Sequence, residues 1–132
     1  MIGNHVSIIG NLGSDPTLRQ SKSGTSVCNL SIAVDRRFNK RNGDGTTTAI
    51  KDKDWMPVVA WDKLAETVAV WLKQGSQIAV VGSLRMREWQ DTNGNNHRTA
   101  EIRAEDIKFL KNIRTKEEVA DRKTATATTP TT

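Results

Sequence analysis

The chain has no tyrosine, two phenylalanines, three prolines and a single cysteine in 132 residues. One cysteine cannot form an internal disulfide, and Cys28 lies in an alternating apolar run, so it reads as an inert core thiol of a reducing compartment. The two histidines, His5 and His97, do not make an ordinary zinc site even with that thiol. No H-E-x-x-H, C-x-x-C, P-loop or G-x-S-x-G pattern occurs, and Asp15, Asp35, Asp52, Asp54 and Asp62 read as turn, loop and cap residues among Lys and Arg. No catalytic residue, metal or cofactor is therefore assigned, and an enzyme is not expected. Nowhere do 18 consecutive apolar residues occur, and the N-terminus has no basic segment leading into an apolar run. The expectation is a soluble, unexported protein of the cytoplasm, with no membrane partner.

What remains is basic and rich in tryptophan. The net charge is +5 with a pI near 9.7, which favours an anionic partner without identifying it. Its distribution says more: between positions 36 and 53, Arg36, Arg37, Lys40, Arg41, Lys51 and Lys53 face only Asp44 and Asp52. Tryptophan occurs four times. The length suits one domain with tails.

Strand patterns fill the first hundred residues. His5 to Leu12 is short and β-branched, and GSDP at 13–16 is a turn. From Val27 to Val34 the even positions are apolar, which predicts a half-buried strand. Residues 39–48, NKRNGDGTTT, read as a long mobile hairpin loop. From Trp55 to Trp61 the two indoles share a face about 20 Å apart at strand rise, and Pro57 predicts an edge or a bulge. Asp62 is expected to cap a helix over 63–73, with Leu64, Val68, Trp71 and Leu72 on its buried side and Gly75 ending it. Gln77 to Trp89, bent at Gly82, and His97 to Leu110 complete five strands. One helix between the third and fourth of five strands is the order of an all-β OB-fold barrel. Residues 111–119 could form a helical stub, whereas Ala120 to Thr132 is mostly Thr and Ala and is expected to be disordered.

Within Gly82–Gly94, alternation puts Arg85, Arg87 and Trp89 on one face and sends Leu84 and Met86 toward a core. Guanidinium groups neutralise phosphates and an exposed indole stacks on an unpaired base, a combination that suits single strands. A surface strand with a half-buried Trp reads equally well from this segment alone. The set is more telling, because Phe38, Trp55, Trp61 and Trp89 all lie on strands or at the start of the basic segment. The corresponding phosphate contacts are Arg36, Arg37, Lys40, Arg41, Lys51, Lys53, Arg85 and Arg87. Trp71 sits at helical spacing and is read as core.

Four pieces, GNLGSDPTLR at 10–19, NLSIAV at 29–34, DWMPVVAWDKLAE at 54–66 and KQGSQIAVVGSLRMREW at 73–89, occur in the order and spacing of the bacterial-type single-stranded-DNA-binding proteins. The chain resembles that family over roughly 4–110. The resemblance implies an OB domain over 1–112 and a short tail over 113–132. It further implies a homo-oligomer, a tetramer or else a dimer, that coats and protects single-stranded DNA in replication, recombination and repair. Phe38, Trp55, Trp61 and Trp89 match the family's stacking positions. Met56 stands where many members have a histidine near the subunit interface, and Arg98 where some have an aromatic. TATTPTT at 126–132 does not resemble the family's acidic, Phe-ended tip, so recruitment of partners through such a tip is not expected. The alternative is an OB-fold accessory or assembly protein that contacts both DNA and protein.

Overall fold

The computed structural model describes residues 3–128, with the backbone alone described over 123–128. Six strands and two helices follow one another: β1 (Val6–Leu12), β2 (Thr17–Gln20), β3 (Ser26–Arg41), β4 (Thr47–Trp61), α1 (Asp62–Trp71), β5 (Gln77–Gln90), β6 (Asn96–Lys111) and α2 (Lys116–Thr128). The sheet runs in the order β1-β5-β6-β4-β3-β2, and β1 also pairs with β3, so five strands close into a ring while β2 lies outside on β3. Relative to that ring, α1 falls between its third and fourth strands, which is the predicted OB topology. The closure is thinnest between β4 and β6, a parallel contact of only Val58 with Ile102 and Val59 with Arg103. Pro57, which has no amide to donate, stands immediately before that contact within an unbroken β3–β4 register, so it marks an edge and not a bulge.

The ring is filled by the even face of β3 (Cys28, Leu30, Ile32), by Val58 and Ala60 of β4, and by Ile78, Val80, Ile102, Ala104 and Ile107 from the β5–β6 hairpin. Burying each of the larger side chains is worth about 1.5–3 kcal/mol. A bulge at Val81/Gly82 lets β5 and β6 curve around this core, and Gly82 is required there because a Cβ would overlap the carbonyl of Arg103. Helix α1 plugs one end of the ring with Ala65 and Val68, joined by Leu72 at its C-cap. Their spacing defines a stripe centred one position away from Trp71, so that indole is half-buried on the shoulder and outside the core, contrary to the expectation.

Other expectations are also corrected. The segment 39–48 is not a long loop: β3 and β4 pair continuously from Val27/Trp61 to Arg41/Thr47, leaving a tight turn at 42–46. A two-stranded ribbon exposed on both sides needs no hydrophobic alternation, so its sequence reads as loop. The short strand β2 is fully exposed and had no pattern to reveal it. Asp62 does not cap α1; Trp61 occupies the N-cap position without a side-chain bond, and Asp62 has φ 57° where the strand turns directly into the helix. Short polar residues such as Asp tolerate that left-handed geometry.

The chain after β6 is a docked strap, and the helix expected as a stub within 111–119 begins at Lys116 and continues into the segment from Ala120 that was expected to be disordered. Arg114 is buried, donates its backbone amide to the carbonyl of Trp71 at 2.8 Å and its Nε to that of Leu72 at 3.2 Å, and lies 3.7 Å from Asp15. Arg122 donates to the carbonyl of Ala69 at 3.1 Å. Helix α1 has no basic residue in its last turn, so these arginines satisfy from a distance the carbonyls that its C-terminus leaves open. The hydroxyl of Ser76 donates to the carbonyl of Asn112 at 2.8 Å, and Lys73 pairs with Glu118 at 3.3 Å. The backbone of α2 then runs to Thr128. The final part of the expected disorder, 129–132, lies outside the described residues.

Candidate nucleic-acid interface

Register decides which side chains share a surface. Trp55 lies opposite Ala33, Trp61 opposite Val27, Lys53 opposite Asp35 and Lys51 opposite Arg37, while Arg85 faces Glu101, Arg87 faces Thr99 and Trp89 faces His97. Directly paired residues project to the same side and alternate along each strand. Because Cys28, Leu30, Val58 and Ile102 point into the ring, the odd-numbered side chains of these segments point outward. The outer face therefore collects Trp55, Trp61 and Trp89 with Arg37, Arg41, Lys51, Lys53, Arg85 and Arg87. Phe38 is not among them. It pairs with Ile50 on the opposite side of the β3–β4 ribbon, together with Arg36 and Lys40.

Each aromatic has a distinct support. Trp55 is 58% exposed, and its ring lies against Gly13, where an added Cβ would overlap the indole. Trp61 is half-buried, with the guanidinium of Arg103 over its ring at 5.5 Å. Trp89 is 44% exposed; His97 stacks on it at 4.5 Å between centroids with a 21° tilt, and its Nε1 donates to Thr99 at 3.1 Å. Asp91 fixes this hairpin end, accepting the amides of Asn93 and Asn95 at 2.9 Å and pairing with His97 at 2.8 Å. The His97 hydrogen bond, followed by those amides, holds the Asp91 carboxyl below its ordinary range. Phe38 is half-exposed beneath the guanidinium of Arg36 at 5.5 Å.

The eight sequence-predicted cations are all exposed, but they are not equivalent. Arg36 donates to Asp52 at 2.6 Å and lies 3.6 Å from Asp54. The Asp52 hydrogen bond and both carboxylates reinforce its charged form, while the bond from the Lys53 amide and that from Arg36 hold Asp52 low. Arg37, Lys51 and Lys53 instead line a shallow depression of about 150 Å³ with Asp35 and Asp52. The expected inward placement of Leu84 and Met86 is wrong: they are 45% and 52% exposed, because the β5–β6 hairpin projects beyond the ring and has no core beneath it.

Several groups on this surface went unread in the sequence. Arg103 alternates with Ile102 and Ala104 on β6, a signal that was available. Arg19 and Lys22 lie around the patternless β2 and line an open groove of about 550 Å³ with Trp61, Arg87 and Glu101. Among the described residues no group of His, Cys, Asp and Glu could hold a metal ion, and no helix is long and apolar enough to cross a membrane. Burial pushes the Cys28 thiol up to about 11.

A five-strand ring with one helix after its third strand, bearing indoles among guanidinium and ammonium groups on its outer face, defines an OB-type oligonucleotide-binding architecture. The comparisons with known proteins agree. The chain belongs to the single-strand binding protein family, whose model matches residues 3–110. It is 38% identical over 107 residues to a single-stranded DNA-binding protein of Caldanaerobacter subterraneus subsp. tengcongensis, covering 81% of this chain and 67% of that protein. It is 35% identical over 108 residues to single-stranded DNA-binding protein 1 of Clostridium acetobutylicum, covering 81% of this chain and 93% of that one. A solved structure of Plasmodium falciparum SSB in complex with ssDNA superposes with a TM-score of 0.74 at 26% identity, covering 82% of this chain and 95% of that chain. The strap carrying Arg114 lies beyond the matched span.

Proposed function

We propose that this protein binds and protects single-stranded DNA during replication, recombination and repair, as a homo-oligomer and without catalysis. The observation that carries the reading is the gathering of Trp55, Trp61 and Trp89 with six exposed cations on one outward face. Bases stack on the three indoles at about 1–3 kcal/mol each, less the ordering of the strand. Arg37, Arg41, Lys51, Lys53, Arg85 and Arg87 contact phosphates, with Lys40 and Phe38 engaged where the strand rounds the β3–β4 ribbon. Arg36, already held by two carboxylates, contributes least. Family membership supports assembly, as do the exposed Ile9, Leu84 and Met86. Titration with oligo-dT tests the reading: Trp fluorescence should be quenched to saturation with the oligonucleotide intact. Unchanged fluorescence in the folded protein would refute it, and turnover of the oligonucleotide would make the protein an enzyme.

A further inference from the structure

The β5–β6 hairpin leaves the ring with no core beneath it: every residue from Leu84 to Gln90 and from Asn96 to Ala100 is exposed. An aromatic side chain on such a ribbon lacks the packed neighbours that fix a rotamer in a core, and a base that stacks on a loose ring must immobilise it at a cost in affinity. Trp89 is an exception. His97, directly opposite it across the hairpin, stacks on one face of the indole at 4.5 Å between centroids with a 21° tilt, and the indole Nε1 donates to the Thr99 hydroxyl at 3.1 Å.

His97 is held in its turn. Its Nε2 donates to the Asp91 carboxylate at 2.8 Å, and Asp91 accepts the backbone amides of Asn93 and Asn95 at 2.9 Å each, so the imidazole is tied to the backbone of the turn. One face of the indole is thus committed to an imidazole and one edge to a hydroxyl, while Trp89 keeps 44% exposure. The uncovered face is the one a base can use, on the side of the hairpin where Arg87 also projects.

We propose that His97 is a positioning residue for DNA binding: its ring, anchored by Asp91, presets the Trp89 indole so that a base stacks on the opposite face with little further ordering. The inference rests on the single-strand-binding reading and on the place of Trp89 in the path. It is tested by measuring oligo-dT affinity at pH 8 for the parent, His97→Ala, His97→Phe, Trp89→Ala and the double variant Trp89→Ala/His97→Ala. His97→Ala should weaken binding about twofold to tenfold, the effect of releasing one rotamer-rich side chain. The slope of log K against log salt concentration should stay as in the parent, because no phosphate contact is removed. His97→Phe keeps a ring without charge or hydrogen-bonding groups and should bind close to the parent. In the Trp89→Ala background His97→Ala should cause no further loss, since His97 acts only through the indole. Unchanged affinity of His97→Ala, or His97→Phe as weak as His97→Ala, overturns the positioning role. A shallower salt slope, or the same loss in the Trp89→Ala background, also overturns it and makes His97 a DNA contact in its own right. Trp89→Ala binding like the parent removes the indole from the path and the inference with it, yet each of these results leaves single-strand binding standing. No binding of oligo-dT by the parent overturns the functional reading and this inference together.

Discussion

At the scale of single residues, the distinction is between aromatics available to a ligand and aromatics that pack. Trp55→Ala and Trp89→Ala should each weaken oligo-dT binding by about 1–3 kcal/mol with little change in melting temperature. Folded mutants that bind like the parent would remove those indoles from the path. The contact of Trp55 with Gly13 adds a subtler case: Gly13→Ala should displace the ring and reduce affinity although position 13 carries no functional group. The same contrast revises Trp71. Its truncation should cost clearly less stability than Leu72→Ala, for which about 2–5 kcal/mol is expected, because Leu72 is fully buried and Trp71 is not. Sequence alternation anticipated that Trp55 shares a face with Trp61 and Trp89 with Arg85 and Arg87, because period two is set by the backbone. It could not rank Trp71 against Leu72, since helical neighbours differ by only 100° and the core decides which one points inward.

At the scale of elements, legibility followed burial contrast. Val27 to Val34 was readable because one face is core and the other is not; the same strand beyond Asp35 lost its pattern when both faces became exposed. The β3–β4 ribbon is therefore expected to protect its paired amides from hydrogen exchange before any DNA is added, with fast exchange confined to 42–46. Uniformly fast exchange over 36–53 would mean that the ribbon is not formed. The strap after β6 was unreadable for another reason, since Arg114 meets carbonyls of α1 that only the tertiary fold brings near. One local signal was present: Thr115 accepts the amide of Glu118 at 3.1 Å, and Thr-x-x-Glu is a helix-start pattern. Arg114→Ala should lower the melting temperature, because the buried Arg114 anchors the strap to the carbonyls of Trp71 and Leu72; an unchanged melting temperature would show that the strap adds nothing to the fold. The β5–β6 turn has its own pH signature. Asp91 titrates lower in the folded protein than in the unfolded chain, so its contribution is present above about pH 4 and is lost as pH falls through the depressed folded value. The melting-temperature deficit of Asp91→Ala should accordingly be present at pH 7 and shrink as the solution is acidified below that range.

At the scale of the whole molecule, charge is arranged by face, and net charge alone is a poor guide to binding. The sum of +5 includes cations already committed elsewhere: Arg36 to Asp52 and Asp54, Arg98 to Glu88, and Arg114 to the strap. Six of the cations read from the sequence remain exposed with the indoles on the outer face, beside Arg19, Lys22 and Arg103, and single-stranded DNA releases about 0.7 counterion per neutralised phosphate. The slope of log K against log salt concentration should then be about −4 per protomer if each of the six meets a phosphate. The arrangement makes a sharper demand on individual arginines. Arg85→Ala should reduce the magnitude of the slope by about 0.7, whereas Arg36→Ala should leave it nearly unchanged, because the charge it removes is already balanced by neighbouring carboxylates. Salt titrations of the two variants decide the matter. Equal losses would show that DNA draws Arg36 away from its carboxylates, and no loss for Arg85 would show that the strand does not follow the face on which Trp89 and Arg87 lie.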